Sequence, residues 1–340
     1  MIIMVVHKWD IDNSSAVFLP PIKYKPHSLK PLSFLLETED TGLEFYGHPY
    51  EVELEAFKPS EDFLQRAEPQ EPKSLEDTPY EYIDTEEAFL KMCKKLEDVT
   101  ELAIDLEHHS FRSFLGFTCL MQLSTRTEDY IVDTIQLRDS MHHLLEILAN
   151  PKILKVFHGA DSDICWLQRD FGLYVINMFD TGQASRVLGY TNFSLNYLVQ
   201  KFCNIQLDKK YQLADWRMRP LSVEMLTYAR MDTHYLLYIY DLMKNELLDR
   251  ESKTKNVLIT VFNRSKEICL KSRTLPKWGF EGKVSPVGGV QRYDKPHAEE
   301  GYLIFCQRYQ KTFNRKQLEA LKNLYAWRDR IAREKDESTG

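Results

Sequence analysis

The sequence predicts an α/β fold in which a mixed sheet is flanked by helices. Three short apolar segments rich in β-forming residues, 102–106, 118–123 and 130–133, are joined by short links, as in an antiparallel meander. Helical and strand patterns then alternate as far as residue 179, and from residue 181 onward the pattern is mostly helical. This order predicts a sheet covered by helices, because both kinds of element must bury an apolar face.

The individual elements follow from helix caps and breakers. Thr85 is a suitable N-cap for a first helix, Pro151 limits a helix over 144–148, and Gly172 ends a helix over 163–171. Apolar runs predict strands at 153–157 and 175–179, and periodicity predicts helices at 194–202, 222–248, 257–270 and 302–333. A three-stranded meander followed by alternating helices and strands is the layout of an RNase H-like fold.

Composition shifts divide the chain into four parts. Residues 1–80 contain nine prolines and an acidic stretch, which predicts an extended arm wrapping the domain or a partly disordered leader. Residues 81–250 carry the predicted α/β domain. Residues 251–297 read as a helix and a Gly/Pro-rich linker, and residues 298–340 as a basic helical region with nine Lys/Arg against five Asp/Glu in its last 40 residues.

The overall composition of the 340 residues is that of a globular protein, with 43% hydrophobic and 28% charged residues. A formal net charge of −7 argues against a general electrostatic grip on nucleic acid, but not against an acidic site that recruits cations. Six scattered cysteines without a CxxC pair predict reduced thiols, not a disulfide framework or a zinc site. No run is long enough to span a membrane.

The first chemical signal is the pair Asp105 and Glu107 in an apolar run. Side chains alternate along a strand, so both carboxylates face the same way while Leu106 faces the core. Two carboxylates this close repel each other unless a cation lies between them. An exposed pair on an edge strand is the alternative, but Leu102 and Ile104 mark a central strand.

The second signal is Tyr228 with Asp232, which are i and i+4 on one face of a predicted helix. A surface tyrosine on an amphipathic helix is the alternative. Asp163 opens the helix after the strand at 153–157, where an acid would also complement the helix dipole. Asp161 competes for either role, and nothing local separates the two.

Together these groups predict a divalent metal site that hydrolyses phosphodiesters. Hard carboxylate oxygens without paired Cys or His select Mg²⁺ or Mn²⁺ over zinc. Two such ions about 3.5–4 Å apart stabilise the attacking and leaving oxygens of an in-line displacement. A phenol beside the attacking water orients it or takes its proton.

The motifs that carry these residues resemble the DEDD superfamily of 3′→5′ exonucleases, tyrosine subtype. They are most similar to RNase D relatives, specifically the exosome-associated exoribonucleases of the eukaryotic nucleus, over about residues 45–335. The resemblance rests on 105–110, 158–164, 211–217, 219–221 and 228–235. Residues from about 300 look like the start of an HRDC domain.

The resemblance implies a ligand set for two Mg²⁺ ions, with Mn²⁺ as a possible substitute. Asp105 would bridge both ions, Glu107 and Asp232 would hold the nucleophile-side ion, and Asp163 the leaving-group ion. Tyr228 would position the attacking water.

The resemblance also implies contacts to the terminal nucleotide near His108, Trp166 and Lys209. Core packing is the alternative for Trp166, and a solvated loop charge is the alternative for Lys209. His234 is expected to be structural.

The implied activity is hydrolytic 3′→5′ exoribonuclease action on single-stranded RNA 3′ ends, releasing 5′-mononucleotides in rRNA maturation and RNA surveillance. The implied partners are the nuclear exosome core and its cofactor proteins, in the nucleus and nucleolus. A catalytically weak RNA-binding scaffold and a DNA-directed exonuclease are the alternatives.

Three departures from the family accompany the resemblance. Met231 stands where many relatives carry an acid, and the HRDC-like region is about half present. The family's N-terminal domain, which binds a cofactor protein, is missing as well, so the sequence is expected to be a fragment or an incomplete gene model.

Overall fold

The computed structural model of the chain describes residues 3–4, 13–14, 16–38, 44–208, 210–250, 256–271, 302–303, 305–306 and 312–337. The described residues of the N-terminal part form short elements only. They are β1 (Ile3–Met4), β2 (Leu36–Thr38), β3 (Glu44–Tyr46), α1 (Glu51–Ala56) and α2 (Glu61–Leu64).

The rest of the described chain, from Tyr80 onward, contains longer helices and strands. Its elements are β4 (Tyr80–Ile83), α3 (Glu86–Leu96), β5 (Glu101–His109), β6 (Phe117–Ser124), β7 (Asp129–Val132), a 3₁₀ turn (Met141–Leu144), α4 (Leu145–Leu148), β8 (Leu154–Phe157), α5 (Asp161–Phe171), β9 (Met178–Asp180), α6 (Thr181–Val187), α7 (Leu195–Cys203), β10 (Met218–Arg219), α8 (Val223–His234), α9 (Leu236–Asp249), α10 (Val257–Cys269) and α11 (Arg315–Lys335).

Six strands form one mixed sheet in the order β4-β7-β6-β5-β8-β9. The meander β5-β6-β7 is antiparallel, as predicted, while β8 and β9 join β5 in parallel. Strand β4, which the sequence pattern did not reveal, pairs in parallel with β7. The predicted mixed sheet flanked by helices is therefore confirmed.

Helices cover both faces of this sheet. Successive side chains of β5 point alternately into the core on one face and the core on the other. Leu102, Ile104 and Leu106 belong to a core cluster shared with α3, α4 and α5. Ala103 points the other way, into a cluster shared with α6, α7, α9 and α10. Since Asp105 shares the parity of Ala103, it faces away from the first cluster.

Several predicted boundaries were wrong, for local reasons. The helix predicted over 222–248 is two helices, because the backbone N–H of Tyr235 turns to the carbonyl of Thr233 and ends α8. Strand β9 starts at Met178, since Asn177 before it has a left-handed φ of 58°. The sequence predicts one helix over 302–333, but its long segment begins only at Arg315. Asn314 and Gln317 form a capping box there.

The N-terminal arm is docked on the domain where it is described. Ile22, Tyr50 and Leu54 are buried in the first core cluster. Lys25 and Glu53 form a buried ion pair at 2.7 Å. The division into arm, exonuclease unit, linker and partial HRDC-like region stays a prediction, and the predicted linker over 278–296 lies outside the described residues.

No helix in the described ranges combines the length and the apolar character needed to cross a bilayer. The six cysteines are free thiols.

Candidate active site

Three of the predicted acids converge where α8 packs on the sheet. Asp105 and Glu107 project from β5 and Asp232 from α8, and each offers an oxygen within 4.8 Å of the others. Ser222, which accepts a hydrogen bond from the Met225 N–H, caps α8. The cap fixes where the helix begins and hence which residues face β5.

Asp163 and Tyr228 border this group. Asp163 lies in the first turn of α5 and is 7% exposed. It is outside the 4.8 Å group, yet its charge raises the pKa of Glu107, and the charge of Asp105 raises the pKa of Asp163. The Tyr228 ring packs at 6.0 Å from the rings of Tyr211 and Trp216.

Burial is the main cause that raises the pKa of all four carboxyls. It raises the pKa of Asp105 to about 7. Burial first, and neighbouring acid charges second, raise the pKa of Glu107, Asp163 and Asp232 well above their usual range. Burial also raises the pKa of the Tyr228 phenol, and the charges of Asp232 and Glu107 add to that rise. Such uncompensated acids are a costly arrangement unless a cation joins them.

The donor set fits a divalent cation of the Mg²⁺ class. All four groups offer hard carboxylate oxygens, the ligands that Mg²⁺ and Mn²⁺ prefer. Gln122, opposite Asp105 on β6, adds a buried amide at the site. Its side chain makes no hydrogen bond of normal geometry with the described residues, although it lies near enough to Glu107 to oppose the rise in that pKa.

An irregularity in the sheet lies directly beside Glu107. The pairing of β5 with β6 shifts between Glu107 and His108, where Leu120 is followed by Thr118 as partner. The unpaired extra residue is Cys119 of β6. His108 therefore stays on the face of β5 that carries Leu102 and Leu106, toward α5. His108 stacks face to face on Trp166 of α5, with ring centroids 4.2 Å apart and planes 6° apart.

His108 is held by two further groups. Arg169 Nη2 donates to His108 Nε2 at 2.9 Å, and Arg169 itself is paired with Asp170. Gly116, at φ 67°, leaves room for the ring, because a Cβ there would lie 2.2 Å from His108 Cε1. The two predicted nucleotide contacts His108 and Trp166 therefore form one aromatic wall, while Lys209 lies outside the described residues.

The segment after Lys209 packs over the same end of the sheet. Asp215 binds Arg217 at 2.7 Å and lies 3.5 Å from Nδ1 of the buried His109. This segment connects through the cis Arg219–Pro220 peptide to the cap of α8. It thereby places aromatic rings against Tyr228.

The structure also distinguishes the two competing acids of α5. Asp161 pairs with Lys271 at a half-exposed position, whereas Asp163 is buried beside Asp105. His234 lies between Asp129 and a backbone carbonyl on the far side of α8, which matches the structural role expected of it. Residue patterns missed Arg169 and Gln122. Gln122 had one signal, a polar residue within an otherwise apolar strand run.

This sheet, with acids and a tyrosine converging where α8 covers its central strand β5, defines a nuclease class. Residues 80–248 match the family model described as 3′-5′ exonuclease, and the chain belongs to that family. Relatives in this family include components of exosome complexes. The chain is 44% identical to human exosome complex component 10 and 43% identical to the exosome complex exonuclease RRP6 of Saccharomyces cerevisiae, in each case over 97% of this chain.

A solved structure supports the same assignment. The catalytic core of RRP6 from Trypanosoma brucei superposes with a TM-score of 0.79 at 36% identity, covering 98% of this chain and 83% of that one. The predicted RNase H-like fold is thus confirmed. The chain spans 38% of the length of the human relative and 44% of the yeast one.

Proposed function

We propose that the protein is a metal-dependent hydrolytic 3′→5′ exoribonuclease that releases 5′-mononucleotides. The convergence of Asp105, Glu107 and Asp232 within 4.8 Å, beside buried Asp163 and Tyr228, is the observation that carries the proposal. Family membership supports it, because 3′-5′ exonucleases of this kind use divalent metal ions.

The four acids would hold two Mg²⁺ ions, with Mn²⁺ as a substitute. When bound, the metal neutralises charge on the phosphodiester and activates water. Tyr228 keeps its proton at neutral pH, because burial and the neighbouring acids raise its pKa, so its phenol orients the attacking water by donating a hydrogen bond. Trp166 and His108, the residue after Glu107 in the chain, provide an aromatic wall on which the terminal base would stack. Such stacking tolerates any base.

RNA as substrate, the exosome as partner and the nucleus and nucleolus as location belong to the proposal as well. The printed names of the human and yeast relatives, both components of an exosome complex, support the partner. Lys209 would meet a phosphate of the RNA. The HRDC-like end of the chain, including the basic helix α11, would add a second RNA or protein contact.

The test is product analysis with a single-stranded RNA labelled at its 5′ end. With Mg²⁺, we expect a ladder that shortens from the 3′ end and releases mononucleotides, lost with EDTA and lost in Asp105→Asn. A matched DNA competitor decides the substrate: stronger inhibition by DNA than by RNA would favour a DNA-directed enzyme. Intact RNA with retained binding would favour a scaffold role.

A further inference from the structure

Helix α8 presents two chemically different sides. Tyr228 and Asp232 lie on the side that meets the other acids, while Arg230 and His234 lie two positions further along, hence about 200° round the helix. Arg230 and His234 are buried at 8% and 6% exposure. The buried polar side is therefore the back of the helix that carries the site.

Asp129 of β7 is the centre of contacts on that back side. Its Oδ2 accepts from Arg230 Nη2 at 2.8 Å and lies 2.9 Å from His234 Nδ1. Its Oδ1 accepts from Ser124 Oγ at 2.7 Å, and Ser124 Oγ lies 2.8 Å from Thr233 Oγ1. Asp129 is 2% exposed, and these hydrogen bonds, with the ion pair to Arg230, hold its pKa below the usual range although burial opposes them.

The N-terminal arm completes this arrangement through its main chain. Arg230 Nη2 also donates to the carbonyls of Leu75 at 3.0 Å and Thr78 at 3.1 Å. His234 Nε2 lies 2.9 Å from the carbonyl of Lys73. Arg230 and His234 of α8 thus each contact both Asp129 and residues 73–78 of the arm.

The arm reaches this point by following α9. The Ala67 N–H donates to Asn245 Oδ1 at 3.0 Å, and the Gln70 N–H to Asp241 Oδ2 at 3.1 Å. Asp241 is a second buried acid paired with an arginine, Arg126, at 2.7 Å. It resembles Asp129 chemically but anchors a helix that carries none of the site residues.

We propose that Asp129 and arm residues 73–78 together act as positioning residues that fix α8 and so place Tyr228 and Asp232. The proposal rests on the proposed nuclease function. The last turns of α8 are held by Arg230, Thr233 and His234, whose directional hydrogen bonds fix the position of the helix. A shift of about 1 Å in catalytic groups costs on the order of 100-fold in rate.

The test compares Asp129→Asn with the matched Asp241→Asn in the full chain. After correction for the folded fraction, measured by circular dichroism, we expect Asp129→Asn to lower kcat on single-stranded RNA by at least about 10-fold with KM changed less than about twofold. Asp241→Asn keeps a side-chain oxygen for the Gln70 N–H and touches neither α8 nor residues 73–78, so it should leave kcat within about twofold of the parent. Equal kcat losses in the two variants would overturn the proposal.

A milder pair covers the case in which Asp129→Asn does not fold. Ser124→Ala removes the bridge between Asp129 and Thr233, and Ser185→Ala removes a buried hydroxyl of α6 that donates to the Thr181 carbonyl at 2.8 Å. We expect Ser124→Ala alone to lower kcat, by about 3- to 10-fold. A kcat equal to that of Ser185→Ala would overturn the proposal.

A readout without RNA separates this inference from the proposed function. Hydrogen exchange of the α8 amides should be faster in Asp129→Asn and Ser124→Ala than in their matched controls. If the parent itself cleaves no RNA, the proposed function fails while this comparison still decides the role of Asp129. Unchanged exchange of α8 in both variants would overturn that role.

Discussion

Replacing Asp105 by asparagine should stabilise the metal-free protein, although it removes a proposed metal ligand. Burial raises the pKa of Asp105 from 3.8 to about 7. A carboxyl whose pKa is higher in the folded state contributes its full stability below pH 3.8 and loses it as the pH rises to about 7. The ionised carboxylate therefore burdens the folded protein at neutral pH, and asparagine has no charge to bury.

The magnitude follows from the size of the shift. A rise from 3.8 to about 7 corresponds to about 4 kcal/mol above pH 7, growing by about 1.4 kcal/mol per pH unit in between. Asp105 keeps partial contact with solvent, which screens its charge. We therefore expect Asp105→Asn to exceed the parent by about 2–4 kcal/mol at pH 8, and by clearly less at pH 5.

Urea unfolding in EDTA between pH 5 and pH 8 measures this difference. Adding Mg²⁺ should stabilise the parent, because a ligand that binds only the folded state raises its stability, and should stabilise the variant less. Asp170→Asn is a control of opposite sign. Burial acts to raise the pKa of Asp170, but the charge of Arg169 outweighs it and holds that pKa well below its usual range. The ionised carboxylate therefore stabilises the folded protein, and the variant should lose stability. An Asp105→Asn protein no more stable than the parent at pH 8 would refute the reasoning.

Three further predictions concern the roles of single residues. Tyr228→Phe should lower kcat by about 10²–10⁴-fold while RNA affinity, measured by fluorescence anisotropy, stays unchanged, because only the hydroxyl proposed to orient the attacking water is lost. Asp163→Asn should abolish RNA shortening on denaturing gels, whereas Asp161→Asn, which breaks only the pair with Lys271, should retain it within about threefold; equal losses would contradict the geometry. Arg169→Gln should raise KM about 5- to 30-fold with kcat nearly unchanged in initial-rate assays, since freeing the His108 ring costs about 1–2 kcal/mol of binding.

The geometry at the centre of the site could be predicted because it depends on local periodicity. Strand alternation places Asp105 and Glu107 on one side of β5, and helical spacing places Tyr228 over Asp232. Neither inference needs knowledge of a partner element. The close approach of Asp105 to Asp232, by contrast, is a tertiary contact that neither local pattern specifies, although combining the two motifs into one metal site anticipated it.

The parts that escaped prediction depend on distant residues. The shift beside Glu107 arises from pairing with β6, and the support of His108 comes from Arg169, 61 positions away. Strand β4 reads Tyr-Glu-Tyr-Ile and is mostly exposed, so nothing in its own pattern distinguishes it from the arm. The sequence predicts residues 73–78 only as part of an arm or leader, because their hydrogen bonds to α8 use main-chain carbonyls that no side-chain pattern reveals.

Strand β4 also has a consequence for the solubility of shorter versions of the protein. It covers the outer backbone groups of β7 over Tyr80–Ile83, and it carries the exposed charge of Glu81 at the rim of the sheet. A fragment that begins after Ile83 would present the bare rim of β7, flanked by buried apolar strands, to other molecules. An unpaired edge strand of this kind can pair with the same strand of another molecule, so such a fragment should self-associate even if its acids are intact.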